Sequence, residues 1–289
     1  MNSKDTFFSK SRTLNLRGTL YELSSPVVMG ILNITPDSFF EGCRFTTESD
    51  ILKRCEDILS QGGEIIDIGA YSSRPLAEHI SEEDELNRLL EALRVIRKEF
   101  PGAILSVDTF RAGIARKVIE EFGVQMINDI SAGDMDEQMM TTVAELKVPY
   151  VMMHMKGTPQ TMQQQTQYEH LIRDITRYFA EKIDKAKKMG IHDIIIDPGF
   201  GFGKDLKQNY LLLSKLNEFR IFQLPMLIGI SRKSMISNIL ETTPSNALAG
   251  TIAANTLALM NGADILRVHD VKEAFDTIQI VKAYKNSNI

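Results

Sequence analysis

Cysteine is scarce in this chain of 289 residues: there are two, Cys43 and Cys55. They form neither a metal-ligand cluster nor a disulfide framework, and they read as structural thiols in a reducing compartment. Long hydrophobic runs are missing too. No apolar stretch reaches the roughly 18 residues of a membrane span. The opening MNSKDTFFSKSRTLNLRG lacks the continuous apolar core of a signal peptide. These absences lead to the expectation of a cytoplasmic protein with no membrane partner. No Pro/Gly/Ser-rich linker and no block of like charge divides the chain, so one domain over residues 1–289 is expected. Charge is nearly balanced: 33 basic against 38 acidic residues, net −5. Such a balance argues against a nucleic-acid partner, though not against a local anion site.

What is present is a repeated unit. Eight short apolar runs each lead to a polar or glycine residue: VVMGILN to Asn33, EIIDI to Gly69, AILSVD to Asp108, QMIND to Asn128 and Asp129, YVMMH to His154, DIIID to Asp197, MLIGIS to Ser231, and DILRVH with Arg267 and His269. A stretch long enough for a helix follows each one. ESDILKRCEDILSQGG places Ile51, Leu52, Cys55, Ile58 and Leu59 on one helical face. SEEDELNRLLEALRVIRKEFPG opens on Ser81 and a run of acids and closes on basic residues and Pro101-Gly102, as a capped helix should. Near-continuous apolar runs such as DIIID suit parallel strands covered on both faces. Eight strand–helix units predict one closed (β/α)₈ TIM barrel, with chemistry at the C-terminal ends of the strands. TLNLRGTLYELSSP, within residues 1–25, predicts a short hairpin closing the opposite end.

Several strand-end segments carry candidate chemistry. In ILNITPDSF, Asn33 is either a carbonyl ligand for a hard cation such as Mg²⁺ or a turn-former, with Asp37 or Ser38 as helix caps. GAYSSRP, with Arg74, suits either a phosphate-binding loop or a polar surface loop. Asp108, Asn128 and Asp129 need partners if buried, either Lys233 and Arg267 or a ligand with several N–H donors. DPGFGFGK allows close backbone approach at its glycines, with Phe200 and Phe202 as walls, but lacks P-loop spacing. GISRKS and LRVHD bring Ser231, Arg232, Lys233, Ser234, Arg267 and His269 to the last two loops, the usual phosphate site of this fold. His154, inside MMHM, reads as a hydrogen-bonded core histidine.

Taken together, VMGILNITPDSF, SSRP, SVDTFR, INDIS, MMHMKGTPQTMQ, IIIDPGFGFGK, GISRKS and LRVHD resemble the dihydropteroate synthases of bacterial folate synthesis, in family order from about residue 13 to the end. The resemblance implies a homodimeric barrel that joins p-aminobenzoate to a dihydropterin pyrophosphate. It implies Asn33 as the Mg²⁺ ligand. Asp108, Asn128, Asp197 and Lys233 would hold the pterin, with Ile130 and Met153 as apolar contacts, and Arg267 and His269 would hold the pyrophosphate. Ser73, Pro75, Phe202, Lys233 and Ser234 would border p-aminobenzoate, Ser73 also touching the pterin pyrophosphate side. Asp37, Arg74, Lys233, Arg267 and His269 form the implied catalytic set.

One segment departs from the family pattern. Where GGESTRPG is usual, this chain reads Gly69-Ala70-Tyr71-Ser72-Ser73-Arg74-Pro75-Leu76, without two glycines and the Glu. The change should stiffen or redirect that loop. Two other readings compete. A related barrel presents methyltetrahydrofolate to a corrinoid partner, but has no need of SSRP, SRKS or an Arg-His pair for pyrophosphate. A binding protein that has lost catalysis through its loop changes is the other. A sugar-phosphate enzyme is disfavoured, because the Asp and Asn cluster fits an N-heterocycle better than a polyol.

Overall fold

Side chains alternate sides along a strand, and this alternation sorts the apolar runs into an inner and an outer set. The computed structural model describes residues 12–35, 47–72 and 79–287. Its sheet has eight parallel strands: β3 (Val27–Asn33), β4 (Ile65–Gly69), β5 (Ile104–Asp108), β6 (Met126–Asp129), β7 (Tyr150–Met153), β8 (Ile194–Asp197), β9 (Leu227–Ile228) and β10 (Ile265–Val268). Neighbours in sequence pair in space, and β10 returns to pair with β3. The remaining seam, β8 to β9, is a single bridge between Ile196 and Met226, where the Ile196 N–H donates to the Pro225 carbonyl at 3.0 Å. The barrel is therefore nearly closed, as the count of eight predicts. The seventh run forms a strand of only two residues, Leu227 and Ile228, paired with Ile265 and Leu266 of β10.

Val27, Met29, Ile65, Met126, Val151, Ile195, Leu227 and Ile265 form one buried cluster inside the barrel. Residues of the opposite phase, among them Val28, Ile66, Ile127, Ile194, Ile228 and Leu266, pack outward against the helices in a second, larger core. The helices are α1 (Glu48–Ser60), α2 (Glu82–Glu99), α3 (Ala112–Phe122), α4 (Met139–Leu146), α5 (Leu171–Lys188), α6 (Leu206–Ser214), α7 (Ser234–Ile239), α8 (Leu248–Met260) and α9 (Val271–Asn286). Local signals place them. In α2, the Ser81 side chain accepts from the Asp84 N–H at 3.0 Å, with four acids in the first turn and Arg97 and Lys98 in the last, so cap and dipole agree. In α5, Leu171, Ile175, Phe179 and Ile183 recur every four residues and are buried, which fastens the helix to the sheet.

The predicted hairpin is β1 (Arg12–Leu16) paired antiparallel with β2 (Thr19–Leu23); residues 1–11 of that extension lie outside the described residues. Its Leu14, Leu16 and Leu23 belong to the inner cluster. The Asn15 N–H donates to Asp193 Oδ1 at 3.1 Å, and Arg12 pairs with Asp264. Asp193 and Asp264 each stand immediately before a barrel strand, so the hairpin plugs the N-terminal end. The other end stays open for chemistry. Leu14 is 1% exposed, so Leu14→Ala should cost about 2–5 kcal/mol. Urea unfolding measures this, and a loss under about 0.5 kcal/mol would show that the plug is no part of the core.

Candidate active site

Two residues further along the inward files, roughly 6–7 Å above the apolar floor, the barrel lining changes from hydrocarbon to charge. Ile65 gives way to Asp67, Ile104 to Ser106, Met126 to Asn128, Ile195 to Asp197 and Ile265 to Arg267. Arg267 organises this layer. Its Nε donates to Asp67 Oδ2 at 2.6 Å and its Nη2 donates to Asp108 Oδ2 at 2.8 Å. Asn128 Nδ2 donates to the same Asp67 oxygen at 3.1 Å. Asp67, fully buried, was not singled out from the sequence. The available signal is its phase: in EIIDI it shares the inward face with Ile65 and Gly69, an acid in an otherwise apolar parallel strand.

Burial controls the charges. It raises Asp108 to about 7, against the lowering effect of Arg267, while Asp67 adds to the rise. It raises Asp197 as well, opposed by Lys233 and by the Gly199 N–H, which donates to Asp197 Oδ1 at 2.8 Å. Burial would lower Arg267, but Asp67 and Asp108 hold it above its ordinary value. Lys233 is brought down to about 8 by burial, with Asp197 pulling the other way. The layer is a mutually compensated set of acids and cations, as interior charge requires.

Above it, the mouth divides into two arcs. One is polar. Asn33 ends β3. Ser231 Oγ lies 3.2 Å from His269 Nδ1 and accepts the His269 N–H at 3.2 Å, so the loops after β9 and β10 hold that imidazole between them. Lys233 Nζ donates to the Phe200 carbonyl at 2.6 Å and lies 4.7 Å from the centre of the Phe202 ring. Ser234 opens α7 and is exposed. The other arc is apolar: Phe110, Ile130, Met153, Met155 and Met162 form a buried cluster, with Tyr71, Met135 and Phe202 against it. The mouth thus sets an apolar wall on one side and Lys233 and His269 on the other, above the charged layer.

Not every strand-end residue reaches this space. Asp129 has the phase opposite to Asn128 and points outward, where it accepts from Ser131 N and Oγ, Gly133 N and Tyr150 Oη. Phe200 is fully buried in the outer core, leaving Phe202 alone as a wall. Arg232 turns away to a two-point ion pair with Asp270, at 2.8 and 2.7 Å, and thereby fastens the two phosphate-side loops to each other. His154 is a buried, hydrogen-bonded histidine, as read from the sequence. Its Nδ1 is 3.0 Å from Lys204 Nζ, which also donates to the Gly199 and Phe202 carbonyls. Burial lowers Lys204 to about 7 and His154 well below its usual value. The glycine run approaches backbone here: a Cβ on Gly199, at φ +72°, would sit 2.0 Å from the His154 carbonyl oxygen. Asp37, Ser73, Arg74 and Pro75 lie outside the described residues.

Among the described residues, no group of three or more His, Cys, Asp or Glu could cage a metal. Asn33 Oδ1 stands at the mouth, beside the space left by Gly69, whose absent Cβ would be 3.3 Å away. One such carbonyl suits a hard cation held mostly by water and substrate phosphate.

With this geometry in hand, comparison with known proteins is informative. The chain matches the family described as pterin binding enzyme over residues 29–269. It is 42% identical to the dihydropteroate synthase of Escherichia coli strain K12 over 269 residues, 92% of this chain and 94% of that one. The Haemophilus influenzae dihydropteroate synthase is 38% identical over 92% of this chain and 96% of its own length. Among solved structures, the Yersinia pestis dihydropteroate synthase in complex with a sulfonamide drug superposes with a TM-score of 0.90 at 39% identity, covering 96% of this chain and all of that one. A Coxiella burnetii dihydropteroate synthase in complex with pteroic acid gives 0.86 at 37%, covering 95% and 98%. The barrel, its charged inner layer and these likenesses agree: the chain belongs to the pterin-binding enzymes, in the dihydropteroate synthase family.

Proposed function

We propose that this chain is a transferase that condenses 6-hydroxymethyl-7,8-dihydropterin pyrophosphate with p-aminobenzoate, giving 7,8-dihydropteroate and pyrophosphate. The observation that carries the reading is the inner layer: Asp108, Asn128 and Asp197 sit below an apolar wall, with Lys233 and His269 above. The pterin 2-amino group and N3–H form a paired donor edge. Asp197 accepts it, and Asp108 and Asn128 meet the remaining polar edge. Ile130 and Met153 cover the ring face. The C–O bond to pyrophosphate breaks, leaving positive charge on the exocyclic methylene that the electron-rich ring shares. The amine nitrogen forms the new C–N bond and loses a proton. Lys233 and Arg267 supply positive charge toward the departing anion, and His269 offers it a ring N–H donor. Mg²⁺, held through Asn33, would neutralise the pyrophosphate further. Phe202 and Ser234 border the amine, with Ser73 and Pro75 assigned there by resemblance. No side chain acts as a covalent nucleophile; the protein orients the reactants and sets their electrostatics.

The corrinoid-type alternative is not favoured. It has no use for cations above the pterin layer, and the Escherichia coli and Haemophilus influenzae relatives, at 42% and 38% identity, are dihydropteroate synthases. The reading also includes a homodimer. Leu257 and Met260 on α8 and Ile280 and Tyr284 on α9 remain between 43% and 71% exposed on adjacent helices, an apolar face of the kind an interface covers. No helix among the described residues is long and apolar enough to cross a membrane, and a cytoplasmic location is part of the proposal.

The direct test is pyrophosphate release from the pterin pyrophosphate with Mg²⁺. Release that depends on p-aminobenzoate and yields dihydropteroate supports the reading, and no product under any condition rejects it. Asp197→Ala should leave the fold intact and weaken pterin by at least about ten-fold, since a buried donor edge loses its acceptor. Unchanged affinity by calorimetry would remove Asp197 from the site.

A further test concerns Asp108. Its carboxyl resonance should titrate near pH 7, and Arg267→Met should move the titration upward by removing the opposing cation. The folded value exceeds the unfolded value of about 4, so the folded chain holds the extra proton. This contribution to stability is complete below about pH 4 and is lost as pH rises through about 7. A titration midpoint near 4 in the folded chain would contradict this account of the layer.

A further inference from the structure

Tyr71 stands where the family pattern carries Glu, two residues beyond the end of β4. Its ring meets Phe110 edge-to-face, with centroids 5.2 Å apart and planes at 88°. The Arg111 guanidinium lies 5.6 Å from the Tyr71 ring centre and 5.2 Å from that of Phe110. This platform is rigid. Arg111 is held by the Glu85 carboxylate at 2.6 Å and by the carbonyls of Ser81 and Ile80, and Glu85 also accepts from Thr109 Oγ1 at 2.7 Å. From there the Tyr71 hydroxyl reaches two partners. It lies 3.1 Å from His79 Nδ1, and it accepts from Gln160 Nε2 at 3.0 Å.

Those partners belong to different parts of the mouth. His79 lies further along the connection that leaves β4. Gln160 lies in the connection after β7, whose Met162 is buried in the apolar arc and whose Gln163 reaches the Gly201 carbonyl at 3.4 Å. Tyr71 thus joins the connections after β4, β5 and β7 at the rim. Asp67 lies within β4 and Gly69 ends it, so Tyr71 belongs to the connection beyond the strand's C-terminal end, outside the layer proposed to read the pterin. The connection after β7 that it holds meets the Gly201 carbonyl through Gln163, next to Phe202, the residue that the condensation reading places beside the amine.

We propose that Tyr71 is a positioning residue that locks the connection after β7 against the Phe110–Arg111 platform and thereby sets affinity for the aromatic amine, without contributing to pterin recognition. The proposal rests on the condensation reading above. A ring at this position gives the connection after β7 something to hold. A Glu offers no aromatic face to Phe110.

The experiment compares Tyr71→Phe, Gln160→Ala, their double variant and Tyr71→Glu by steady-state kinetics in both substrates, with calorimetry for the pterin. Tyr71→Phe keeps the ring and loses the hydroxyl, and should raise KM for p-aminobenzoate about three-fold with kcat and pterin affinity unchanged. Gln160→Ala should match it, and the double variant should be no worse than either single one, because both break the same link. Tyr71→Glu should raise that KM at least about ten-fold. Backbone amides of residues 158–165 should exchange faster in every variant. Additive single effects, an unchanged KM for the amine, or a parallel loss of pterin affinity would each overturn the assignment. If the wild-type chain turns over while the variants behave like it, only the role of Tyr71 falls. If the wild-type chain makes no dihydropteroate, the proposed reaction falls instead.

Discussion

The site depends on a guanidinium placed inside a barrel. Arg267 enters a space that is hydrocarbon on its lower side and bonds Asp67 and Asp108 at 2.6 and 2.8 Å. An unpaired charge there would be prohibitively costly, and so would either carboxylate alone. The pairing therefore fixes more than one side chain. It holds Asp67, which orients Asn128, and it offsets part of the burial that raises Asp108. Replacing such a cluster with hydrocarbon often stabilises a protein, so its presence is better explained by what it recognises than by what it holds together.

Above this layer, two arcs of unlike character share one mouth. The apolar arc spans the ends of β5 to β7, with Tyr71 and Phe202 at its flanks. The polar arc spans β9, β10 and β3. This separation is what a reactant with a flat ring and a pyrophosphate tail requires. It also explains the effort spent on loops that touch no reactant: the Arg232–Asp270 pair fixes the polar arc, and the Lys204 cradle fixes the glycine run beside Asp197.

Much of this is legible in the sequence. Eight apolar runs with helical spacers yield the barrel, because parallel strands buried on both faces have to look like DIIID and MLIGI. The strand-end residues yield the site, because the architecture sends them to one rim. What was missed follows from phase and from contacts distant in sequence. Asp67 sits mid-strand, so a search of strand ends passes over it, although period-2 counting from Ile65 would have found it. Asp129 adjoins Asn128 in the sequence, yet adjacent residues on a strand face opposite ways. Phe200 and Phe202 looked equivalent, and only the turn at Gly199 sends the first into the core. The role of Arg232 required knowing that Asp270, 38 residues later, lies beside it.

The central claim is that the charged layer reads the pterin while the mouth handles its pyrophosphate and the amine. A crystal structure of the chain with the dihydropterin and pyrophosphate together tests it most directly. The account predicts the 2-amino and N3 edge of the ring within hydrogen-bond reach of Asp197, its face against Ile130 and Met153, and the anion beside Lys233 and His269. A pterin lying outside the barrel against Phe202, with Asp197 and Asn128 untouched, would contradict it.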